Sequence, residues 1–165
     1  MTQKKTVRTA AAAVLIFAAA ALAAFLLTGG AKMTYCGIGP TDLSGLAERI
    51  ISLTLSTAIQ CVTVYLAAYV ETPFTLTAPV FVYRGLTAGA AFRLVSAPSD
   101  VTLAFFASHM LITALLLILC CSSAKYSGRA GGEDRFALRA RHSYIFLIIN
   151  GAALLIKASP GLLIG

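Results

Sequence analysis

From Ala10 to Thr28 the chain runs for nineteen residues without a formal charge. A helix needs about 20 apolar residues to cross the hydrocarbon core of a bilayer. Further apolar stretches follow at Ile50–Val70, Phe74–Val95, Val101–Ser122 and Ser143–Ile164. Charged residues are 12% of the chain, too few for the surface of a soluble domain, and they cluster between these stretches. The pattern predicts an all-α fold: a polytopic transmembrane helix bundle of about five spans, near 10-28, 50-70, 74-95, 101-122 and 143-164, forming one integral membrane domain over 1-165.

The first run follows Lys4, Lys5 and Arg8 and holds small residues at Ala21–Ala24, so it also has the look of a signal peptide. It is longer than the 7–15 residues usual for a signal core, which favours a retained helix over a cleaved one. Segment 29-47, with Gly29-Gly30, Gly37, Gly39-Pro40 and Gly45, reads as a loop, and Thr41 or Asp42 suits the N-cap of the next helix. The second span carries Ser52, Thr54, Ser56, Thr57, Gln60 and Thr63. Such side chains bond to their own helix or across a helix pair, so this span is expected to face protein. Glu71 and Pro73 mark a turn, and Ser99 or Asp100 suits the cap of the fourth span. Lys157 and Pro160 interrupt the fifth.

Lys and Arg collect in two places: three at the N-terminus and five (Lys125, Arg129, Arg135, Arg139, Arg141) in a polar loop at 123-142. With the N-terminus inside, five spans put both groups in the cytoplasm, and 29-47 and the C-terminus outside, as the positive-inside rule requires. The net charge of +7 is thereby explained by anionic lipid, and no nucleic-acid motif accompanies it.

The third span is the unusual one. Pro79 interrupts it, Arg84 lies near its middle, Gly85 and Gly89 form a GxxxG, and Arg93 lies near its end. It is expected to be broken or irregular near Pro79 and Arg84-Gly85. A re-entrant hairpin is the rival, but it gives four spans and puts the five-charge loop outside. A charge near the bilayer centre costs at least about 2.5–3.5 kcal/mol, so Arg84 belongs in a bundle interior or a wet cavity. Its acidic neighbours in sequence are Glu71 and Asp100; backbone carbonyls or snorkelling are the structural alternative. Gly85 and Gly89 let another helix approach closely. His109 stands alone in the fourth span and reads as a neutral histidine bonded to a neighbouring helix. A zinc site needs three or four ligands, so no metal and no cofactor is expected.

Of the four cysteines, Cys61, Cys120 and Cys121 lie in apolar runs as small hydrophobes, and Cys36 lies in the first loop. There is no HExxH, GxSxG, Walker loop or Asp pair, so no enzyme is expected.

The segment Pro73-Phe-Thr-Leu-Thr-Ala-Pro79-Val-Phe-Val-Tyr-Arg84-Gly85-Leu-Thr-Ala-Gly89-Ala-Ala-Phe92 resembles the signature of the stage II sporulation protein M family. There a proline-led apolar stretch runs into a basic residue, a glycine, three residues and a second glycine. The order of spans from Ile50 onward fits as well. Thr113 stands where many members have a glutamate four residues after the histidine, and Lys157 stands where the last helix often carries an acid. The resemblance implies a non-enzymatic scaffold in the cell membrane. It would organise extracytoplasmic peptidoglycan hydrolases during sporulation, with a homo-oligomer as a further arrangement. The alternative is a small transporter or permease subunit with Arg84 lining a substrate path.

Overall fold

The computed structural model describes residues 2–28, 43–70, 72–94, 100–127 and 135–163. Five long helices account for nearly all of them, and no strand occurs among the described residues: α1 (Thr2–Leu27), α2 (Leu43–Leu66), α3 (Pro73–Leu94), α4 (Asp100–Ser127) and α5 (Arg135–Leu163). A short 3-10 turn, Ala67–Tyr69, closes α2.

Local chemistry accounts for the helix ends. Alanine, the best helix former, dominates α1. Beyond its end the Thr28 amide and hydroxyl both donate to the Ala24 carbonyl, at 3.0 and 2.7 Å. Pro73 takes the first position of α3, where its missing amide costs nothing. In α2 the hydroxyls of Thr54 and Thr63 turn back to the carbonyls of Ile51 and Ile59 (3.0 and 2.8 Å), which removes their cost in apolar surroundings. Only one face of α2 is inward, with Thr57, Cys61 and Val64 buried. Ile51, Leu55 and Ile59 point outward, so the expectation that α2 faces protein holds for one side of it.

Helix α4 is the centre. It packs against each of the other four, with α1 and α3 on one side and α2 and α5 on the other. Its buried residues Ile112, Leu116, Leu119 and Cys120 recur at helical spacing and meet Val64, Phe81, Ala13 and Ala153. Helices α1 and α3 form the most extensive pair.

Several expectations need correction. The third span is neither broken nor a hairpin: α3 is one continuous helix through Pro79, Arg84 and Gly85. Pro79 deletes one backbone hydrogen bond. Its ring, however, lies on the exposed side of α3, while buried Thr77, Val80 and Phe81 hold the inner face. The Thr77 hydroxyl adds a bond to the Pro73 carbonyl at 3.2 Å. Likewise α5 runs on through Lys157 and Pro160, the latter in its last turn, where little helix remains to lose. Most of the supposed polar loop at 123-142 is helical, because α4 extends to Ser127 and α5 begins at Arg135. The first loop is likewise shorter than 29-47, since α2 starts at Leu43.

Two helical stretches, Thr6–Leu27 and Phe106–Ser127, are long and apolar enough to cross a membrane, and Thr54–Tyr69 is a shorter apolar one. Residues 29–42 with Cys36 and the Thr41/Asp42 cap, Glu71, and Ser99 lie outside the described residues. So do the side chains of Ser52, Arg93 and Asp100.

Candidate functional site

Of the residues singled out by sequence, Arg84 and His109 come together. Arg84 projects from α3 into the bundle and is 2% exposed, and His109 reaches it from α4. The guanidinium Nε donates to Gln60 Oε1 of α2 at 2.6 Å, and Nη1 lies 3.2 Å from His109 Nδ1. A guanidinium has donors only, so Nδ1 must accept, and the imidazole is neutral with its proton on Nε2. That Nε2–H faces the backbone carbonyl of Arg84 at 3.0 Å, with the Thr87 hydroxyl oxygen at 3.1 Å. The Thr87 hydroxyl itself donates to the Tyr83 or Arg84 carbonyl, each at 3.0 Å.

One side chain thus ties three helices. Among the described residues, the partners that hold the charge are neutral dipoles, Gln60 and His109. Gln60 was visible in sequence only as one polar residue among six in its span; an arginine at mid-span with no acid inside any span was the signal that a strong acceptor had to exist nearby. His109 has both ring nitrogens engaged by protein, which fills the positions a metal would use.

Gly85 and Gly89 do not join this cluster. They face α1. A Cβ on Gly85 would lie against the Phe17 carbonyl oxygen and 2.7 Å from Ala20 Cβ. One on Gly89 would meet the Ala21 carbonyl, 2.8 Å from its carbon. The GxxxG is therefore the seat of α1, which runs in the same direction as α3. Pro79 lies on the outer side, away from both features.

A second polar cluster, missed in sequence, forms where α2 and α4 end and α5 begins. His142 is buried, stacked on Tyr65 (4.8 Å between centroids) and on Tyr126 (5.5 Å). Its Nε2–H donates to the Tyr65 carbonyl at 3.4 Å, which leaves Nδ1 to accept from the Ser122 hydroxyl at 2.9 Å. Ser123 donates to the Val64 carbonyl at 2.8 Å, and Tyr65 shares a hydrogen bond with Ser143 at 2.9 Å. The available signal was the clustering of Tyr65, Tyr69 and Tyr126 at span ends, where aromatic residues collect.

Burial pushes the His142 imidazole below its ordinary range, partly offset by its bond to the Tyr65 carbonyl. The folded state therefore binds this proton less readily than the unfolded chain. The associated stability is present above the unfolded value of about 6.5 and is lost as pH falls through that value toward the folded one. The thermal midpoint in detergent is expected to drop between pH 7.5 and pH 5.5. In His142→Asn the drop should be smaller; equal drops in the two chains would contradict this role.

In comparisons with known proteins, no family model, curated protein or solved structure matches the chain.

Proposed function

We propose that all five helices cross a cytoplasmic membrane, with the N-terminus inside and the C-terminus outside, and that the bundle is a scaffold for peptidoglycan-remodelling enzymes like stage II sporulation protein M. The observation that carries the membrane reading is an apolar exterior on every helix, with polar side chains set within the apolar core. Every helix turns large apolar side chains outward: Leu15 and Leu22 on α1, Leu55 and Ile59 on α2, Leu86 and Phe92 on α3, Leu111 and Ile118 on α4, Leu147 and Leu155 on α5. Inside lie Thr57, Thr77, Arg84, Ser108, His109 and Ser123. So extensive an apolar exterior needs a lipid or protein cover.

The orientation is supported by the grouping of basic residues. Thr6, near Lys4, Lys5 and Arg8 in sequence, lines one cleft together with Lys125 and Arg141, so both basic segments meet at one end of the bundle.

For the role, the Arg84 cluster favours a scaffold over a transporter. A substrate-binding arginine needs free donors facing a path, whereas Arg84 is closed off by Gln60 and His109. The pull between α2, α3 and α4 is what a rigid anchor requires. The resemblance over Pro73–Phe92 supplies the partner class. Affinity purification of the full chain in mild detergent from sporulating cells is expected to co-isolate an extracytoplasmic wall hydrolase. Repeated recovery without one sinks the scaffold reading and leaves the membrane reading intact.

A further inference from the structure

Among the described residues α1 and α5 do not pack on each other, and at the basic end the gap between them has α4 as its floor. The cleft there has a volume of about 230 Å³. Lys125 and Arg141, both exposed, line it from α4 and α5, along with Thr6 of α1 and Tyr126. Leu138 and Ile145 supply an apolar wall.

We propose that this cleft binds the phosphodiester headgroup of an anionic phospholipid of the inner leaflet, with the first part of an acyl chain against Leu138 and Ile145. This rests on the membrane reading above. Two cations from different helices at one mouth match a phosphate that bears a single diffuse negative charge. The apolar wall is what separates lipid from free phosphate, which has no use for it. His142 also lines the cleft, its ring held by Ser122 and Tyr65, and among the described lining residues Lys125 and Arg141 supply the charge. A lipid seated there would bridge α1 to α5, two helices without direct packing among the described residues.

The test is lipid retention by the purified full chain, titrated with phosphatidylglycerol or phosphatidylcholine and read by native mass spectrometry. Phosphatidylglycerol is expected to bind in preference, and Lys125→Gln with Arg141→Gln to weaken it by about five-fold per cation removed. Leu138→Trp, which narrows the cleft and leaves the charge alone, should also weaken it. Arg139→Gln is the control: that guanidinium lies over the Tyr69 ring, 5.4 Å from its centre, outside the cleft. Its loss should be smaller than that of Arg141→Gln. Three results overturn the proposal: no preference for phosphatidylglycerol, equal losses for Arg139→Gln and Arg141→Gln with Leu138→Trp unchanged, or displacement of the lipid by millimolar inorganic phosphate. A chain that inserts with the stated topology yet gives any of these loses the lipid site only; failure to insert removes the membrane reading instead.

Discussion

Gly89→Leu is expected to separate α1 from α3 and to lower stability by about 3 kcal/mol or more, at the upper end of overpacking costs. The neighbour that a new side chain meets is the Ala21 backbone, which cannot rotate aside as a side-chain tip would. Gly85→Leu should behave similarly against Phe17 and Ala20. Gly151 is the contrast, since a Cβ there has nothing within 4 Å. Gly151→Ala should leave stability unchanged or raise it by up to about 1 kcal/mol through helix propensity. Thermal unfolding in detergent, with protease sensitivity around residue 28 as a local readout, distinguishes these outcomes. Two glycines devoted to α1 also favour a first helix that stays with the bundle, because its removal would strip the face of α3 that they shape. Wild-type stability in Gly89→Leu would mean that the α1–α3 seat is not used.

The second large effect concerns Arg84. Arg84→Ala leaves Gln60 Oε1 and His109 Nδ1 buried without their donor and opens a cavity, for a loss of about 3–5 kcal/mol. Replacing all three partners together, as Gln60→Met, Arg84→Met and His109→Leu, should recover most of that loss, because no orphaned polar group remains. Denaturation of the single and triple variants under one condition measures the difference. A triple variant as unstable as Arg84→Ala would mean that the cluster does more than satisfy itself, and would reopen a role for Arg84 in handling a substrate.

Hydrophobic runs and their punctuation located all five helices, because a run of apolar residues between charges has few alternatives to a helix. Their ends were harder. Lys125 and Arg135 lie in a charged stretch that reads as loop, yet both are helical. Pro79 and Pro160 were read as breaks because proline opposes helix locally; packing of the inner face of α3, and the nearness of the end of α5, outweigh one lost hydrogen bond. At the site, Arg84, His109, Gly85 and Gly89 stood out as costly or permissive residues in an apolar setting. Which of them meet was not legible, since Gln60 and His109 approach Arg84 from 24 and 25 residues away. Nor was the split of the Arg84–Gly89 segment into an inward polar contact and an α1 seat, although the two features are one residue apart. The Tyr65–His142 stack depends on α2 and α5 lying side by side, which no local pattern reveals.

The most direct test of the central claim is the sidedness of two thiols in intact cells, probed with a membrane-impermeant maleimide. Cys36, in the segment expected to be external, should label without permeabilisation, and Cys36→Ser should abolish that signal. A cysteine introduced by Ala130→Cys on the Cys36→Ser background should label only after the cells are opened. Protection of Cys36, labelling of both sites from outside, or recovery of the chain in the soluble fraction would contradict a five-span bundle with its basic end in the cytoplasm.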